Sequence, residues 1–137
     1  MLLPLGLESL LLLLLGGRLE SLLLLGGTAV APPPAPSYSR QIDPLLRRYC
    51  AGCHGKRMPR AGYSVIAYEE LFRSRKGKIM LVAGQPDKSP LLRTMQGHPP
   101  VMPPPDYPHR PSPADIAKVR AWIAAGAQDD TPADSPR

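Results

Sequence analysis

The sequence predicts a small all-α domain with long irregular loops and a core that a cofactor completes. Three observations carry that expectation. Two segments, one running into Cys50 and one starting at Ser112, place apolar residues at helical spacing. The chain between them shows no alternating rhythm of strand and helix. Past a leucine-rich N-terminus large apolar side chains are sparse, with Phe72 and Trp122 occurring once each. So poor a core struggles to repay conformational entropy unless something else fills it.

Residues 1–31 lie outside that domain. Fifteen of the 21 leucines precede Thr28, in two runs that each follow a Leu-Glu-Ser and end in Gly-Gly. Such a segment reads as a signal peptide or an N-terminal membrane anchor. Ala29-Val30-Ala31 has the small-x-small form of a cleavage site, although no Lys or Arg precedes the first run and Pro32 would follow the cut. As a span it is balanced: fifteen leucines contribute about −5 to −9 kcal/mol, and Arg18 and Glu20 cost about +5 to +7 kcal/mol. A cleaved signal ranks first, an uncleaved anchor second and a wrongly assigned start third. Residues 32–38, rich in proline, form a stiff extended tether. The domain then occupies 39–128, and 129–137 is expected to be a disordered tail.

Ile42, Leu45, Leu46 and Tyr49 fall at i, i+3, i+4 and i+7, with Asp43 and Pro44 suited to a first turn, so a short helix runs into Cys50. It delivers Cys50-Ala51-Gly52-Cys53-His54, which is a C-x-x-C-H pentad and holds both cysteines of the chain. That pattern is the attachment signature of c-type haem. Two thiols reach the two vinyl groups of one porphyrin, and the imidazole behind them swings under the iron as an axial ligand. Other uses of the pair fit less well. A thioredoxin-like pair belongs at a helix start in a βαβ unit. A zinc site would need His54, His98 or His109, whose spacing matches no common ribbon or finger. A chance occurrence in a cytosolic protein is weakened by the export-like leader.

Downstream, Tyr68–Arg73 and Ser89–Met95 carry weaker helical signals, stopped by Gly77 and Gly97, while Val65-Ile66 and Ile79–Val82 suit short extended pieces. Ser112-Pro113-Ala114-Asp115 reads as a capping box with proline in the first turn, followed by a stripe of Ile116, Val119, Trp122 and Ile123 and ended by Gly126. The early and late helices are the natural pair to cross beside the haem. For the second axial ligand the candidates are Met58, Met80, Met95, Met102, His98 and His109. Met58 lies close to His54, and Met80 and Met95 sit where packing is the commoner role. Met102 stands first because the prolines after it stiffen its loop just before the last helix; His98 is next.

The helix into Cys50-Ala51-Gly52-Cys53-His54-Gly55, the run Val82–Leu92, Met102-Pro103-Pro104-Pro105 and the last helix through Arg120-Ala121-Trp122-Ile123 resemble the small cytochrome c domains of the planctomycete type, over about residues 42–127. The resemblance implies a class I-like fold, with helices wrapped around one covalent haem. It also implies that Met102 is the distal methionine. Those domains are often fused to larger proteins, whereas here the haem domain is expected to stand alone.

The full chain carries +6, and past residue 38 sixteen Lys and Arg stand against nine Asp and Glu. Many crowd the motif, among them Arg47, Arg48, Lys56, Arg57, Arg60, Arg73, Arg75, Lys76 and Lys78. Such a field steers docking to an acidic redox partner or an anionic membrane surface, while one or two residues pair the haem propionates. No recognisable nucleic-acid module accompanies the charge. The expectation is a monohaem electron carrier, periplasmic or membrane-anchored facing the periplasm, held by Cys50, Cys53, His54 and Met102. The alternative is a haem enzyme, or a haem protein that binds gas or peroxide, with an open or displaced distal site. A haem-free zinc or thiol-redox module is a third reading.

Overall fold

The computed structural model describes residues 27, 30–55, 57 and 59–136. The expected leader lies outside the described residues apart from 27, 30 and 31, and so do Lys56 and Met58. The chain divides into two compact units, Met1–Pro33 and Pro34–Arg137; the second is described below.

Its elements are helical, and no strand occurs among the described residues. A π-helical turn, Tyr38–Ile42, leads directly into α1, Asp43–Cys50. Short 3-10 turns follow at Arg60–Gly62, Tyr68–Leu71 and Pro86–Lys88. Then come α2, Pro90–Met95, and α3, Pro113–Ala124. The expected first helix is present, with Pro44 in its first turn and an Asp43–Arg47 ion pair at 2.8 Å along its face. The 68–73 signal shortens to a 3-10 turn. The extended pieces yield one isolated antiparallel bridge, Arg73 to Ile79, because no neighbouring segment offers a ladder to either.

The capping box forms as read. Ser112 Oγ accepts from Asp115 N–H at 3.1 Å, and the Asp115 carboxylate accepts from Ser112 N–H at 3.3 Å. Burial opposes the charge on Asp115, but hydrogen bonds from Ser112 and Tyr49 outweigh it and hold its carboxyl below the usual carboxylate range. This contribution to stability is complete above the ordinary value of 3.8 and is lost as pH falls through the lower folded value. Ser112→Ala is expected to cost about 1 kcal/mol, read from the denaturant midpoint at constant slope. Gly126, with φ +100°, ends the helix where a side chain would be strained.

The core gathers the predicted stripes: Ile42, Leu45 and Leu46 from the first, and Val119, Trp122 and Ile123 from the second, all buried. To these the fold adds Tyr63, Val65, Leu71, Leu81, Leu91, Leu92 and Met95. The main packing of α3 is with the π-helical turn and with α2. The expected helix pair is joined instead by a hydrogen bond, Tyr49 Oη to the Asp115 carboxylate at 3.0 Å.

Contacts of this unit reach past residues 39–128 at both ends. Tyr38, assigned to the tether, is buried and stacks on Trp122 with ring centroids 5.5 Å apart. An aromatic next to prolines reads as linker, yet it covers the largest buried ring of the core. At the other end Gln128 O accepts from Trp122 Nε1 at 2.9 Å, and Asp130 Oδ1 accepts from Ser39 N–H at 2.7 Å. Contacts therefore continue past 128 into the stretch expected to be a tail, because Asp130 pairs with a backbone N–H near the start of the unit and Gln128 O with the Trp122 indole.

Candidate functional site

Cys50 is the last residue of α1, and the chain turns tightly after it. Cys53 N–H and His54 N–H both donate to Cys50 O, at 3.1 and 2.8 Å. This turn brings Cys50, Cys53 and His54 to one wall. A Cβ on Gly55 would stand 2.6 Å from the Ala51 carbonyl oxygen, so the residue after the pentad has no room for a side chain. Both cysteines are free and half-buried. Burial, with a smaller push from Cys53, raises the Cys50 thiol to about 12, so it is protonated at neutral pH.

The wall faces two adjoining cavities that share Cys50, His54, Ala61 and Met102. The first cavity adds Cys53, Pro103, Pro104 and Tyr107; the second adds Tyr63, Val65, Leu91 and Met95. Such a lining of thiols, thioether, rings and aliphatic groups suits a large flat apolar group.

His54 is held at three points. Its N–H donates to Cys50 O, its carbonyl accepts from Val65 N–H at 2.9 Å, and its Nδ1 lies 2.9 Å from Tyr63 O. A carbonyl only accepts, so Nδ1 carries the proton and Nε2 keeps its lone pair for a metal. The Tyr63 ring stands edge-on to the imidazole at 5.7 Å, and its buried hydroxyl donates to Leu71 O at 3.1 Å. Burial pushes that hydroxyl well above the usual tyrosine range.

Met102 is half-buried and lines both cavities. Met80 and Met95 line the second only, His98 and His109 are exposed and line neither, and Met58 lies outside the described residues. The structure thus brings all four sequence-predicted residues, Cys50, Cys53, His54 and Met102, to one cleft. Sequence reasoning missed Tyr63, whose contribution is a backbone carbonyl that no residue type advertises. It also missed Tyr107 and Arg110, although an Arg close after a proline run deprived of donors was a readable signal.

Haem fits this donor set: two free thiols, an imidazole with Nε2 available, and an apolar cleft to exclude water. The described residues contain no group of three or more His, Cys, Asp and Glu arranged to hold a metal ion, so they do not form a closed zinc site of such residues. This donor set is the one that attachment of a c-type haem calls for. Residues 50–106 match the family described as Planctomycete cytochrome C, which spans the pentad and the Met102 loop. The resemblance read from the sequence therefore holds over that segment, and the family implies a covalent haem and an electron carrier rather than an enzyme. No curated protein and no solved structure matches the chain.

Proposed function

We propose that the protein is a monohaem electron carrier working outside the cytoplasm, with Cys50 and Cys53 as thioether attachments, His54 as proximal ligand and Met102 as distal ligand in a class I-like wrapping. The observation that carries this reading is the shared cleft, where His54, with its tautomer fixed by Tyr63 O, and Met102 line the same apolar space as the two thiols. Bound there, haem supplies a one-electron iron couple. The chain's own residues do the rest. Tyr63 orients the imidazole, the Met102 thioether favours the reduced form, and the aliphatic lining lowers the local dielectric.

Exposed Arg57, Arg60, Arg73, Arg75, Lys76 and Lys78 surround this region, and Arg60 and Lys78 reach the cavities themselves. None of the six is ion-paired with a described residue. That uncompensated charge favours an acidic redox partner, with association that slows as salt rises. Export, to the periplasm or to a membrane facing it, is supported by the leucine-rich leader and by the chemistry of haem attachment. No described helix is long and apolar enough to cross a membrane.

The test is the intact mass of the denatured protein after expression with an export and haem-attachment system. A gain of one haem that survives denaturation is expected, together with loss of residues 1–31. A haem-free mass in a competent host would overturn the reading and promote a thiol-redox role.

A further inference from the structure

We propose that Arg110 is a positioning residue that sets how firmly Met102 holds the distal position; the inference rests on Met102 being that ligand. Pro103, Pro104 and Pro105 have no N–H, so the loop has few donors with which to hold itself, and its carbonyls need partners from elsewhere. The structure supplies them at close range. Arg110 Nη1 donates to Pro103 O and also to Pro104 O, the latter at 2.8 Å. Tyr107 N–H donates to Pro104 O at 2.9 Å, and Met102 N–H donates to Thr94 O at 3.0 Å. The guanidinium bonds are charge-assisted and therefore the stronger members of the set.

Arg110 is itself held in place by its position, two residues before the N-cap of α3. The capping box there fixes the direction of the chain, and its Asp115 accepts from Tyr49 Oη at 3.0 Å. Tyr49 belongs to α1 and lines the first cavity beside Cys50. One helix end thus touches both sides of the cleft, the thiol-bearing helix through Tyr49 and the methionine loop through Arg110. No described carboxylate forms an ion pair with Arg110. Its charge is therefore free to serve the two carbonyls.

A thioether is a weak ligand, and its hold on iron depends on how little freedom the loop regains when the bond breaks. A clamped loop regains little, so the ligand stays; a released loop yields it to a competitor. The test uses the holoprotein and exogenous imidazole. Arg110→Met keeps the aliphatic stem and removes the donors, and is expected to tighten imidazole binding at the iron about tenfold, the equivalent of one charge-assisted hydrogen bond. Its midpoint potential should fall, and Arg110→Lys, which keeps a cationic donor, should restore part of both. In a Met102→Ala background the same substitution should change imidazole binding little.

Wild-type imidazole affinity and potential in Arg110→Met would overturn the proposal. So would an equal tightening in the Met102→Ala background, which would mean general loosening of the domain. The failure of the underlying reading looks different, since Met102→Ala alone would then leave the spectrum unchanged. Should Arg110→Met fail to load haem, Arg110→Lys still carries the comparison, with an intermediate affinity expected and a wild-type affinity against it.

Discussion

Met102→Ala is expected to leave the haem covalently attached, turn the ferric iron partly high-spin and lower the reduction potential. The thiols that hold the ring lie on α1 and the turn after it, far in sequence from the methionine loop, so attachment survives. Removing the thioether removes the ligand that favours ferrous iron, which moves the potential down. Conversion should be partial rather than complete, because Met80 and Met95 also line the second cavity and offer other thioethers. A visible spectrum and a redox titration read both effects. An unchanged spectrum would remove Met102 from the ligand set.

His54→Ala is expected to have the larger consequence, loss of a stable holoprotein. The imidazole is the one side chain that satisfies Tyr63 O while leaving a lone pair for iron. Its removal strands a carbonyl beside a buried tyrosine, at a cost of about 1–3 kcal/mol. It also leaves the iron without its proximal ligand. Intact mass gives the fraction of chains carrying haem, and thermal unfolding gives the stability of what remains. A fully loaded variant with wild-type melting would reject His54 as ligand. The companion substitutions Cys50→Ala and Cys53→Ala should leave the imidazole in place but reduce the attachment to a single thioether.

The parts of the site that were legible were those whose chemistry is local in sequence. C-x-x-C-H places its three donors within five residues, and the helix before it announces itself by Ile42, Leu45, Leu46 and Tyr49 at one face. The Ser112–Asp115 box is similarly contained within one turn and forms as read. Tyr38 was not legible, because its prolines describe the backbone before it, and only the fold shows Trp122 waiting beside it. The sequence also could not choose a distal residue on composition alone, since six Met and His side chains offered a lone pair. Exposure of His98 and His109, and the place of Met102 in both cavities, separate them only in three dimensions.

By itself, then, the sequence determined which atoms can attach and ligate a haem, and that helices run into Cys50, through the Ser89–Met95 segment and on from the Ser112 cap. Covalent reach, capping and helical periodicity act over a few residues, and any few residues display them. Only the tertiary structure decided that Tyr63 O fixes the tautomer of His54, that Met102 joins the thiols at one cleft, and that Arg110 grips the loop between them. Those are contacts of side chains with backbone carbonyls, or between segments far apart in sequence, and their partners are chosen by packing rather than by residue type.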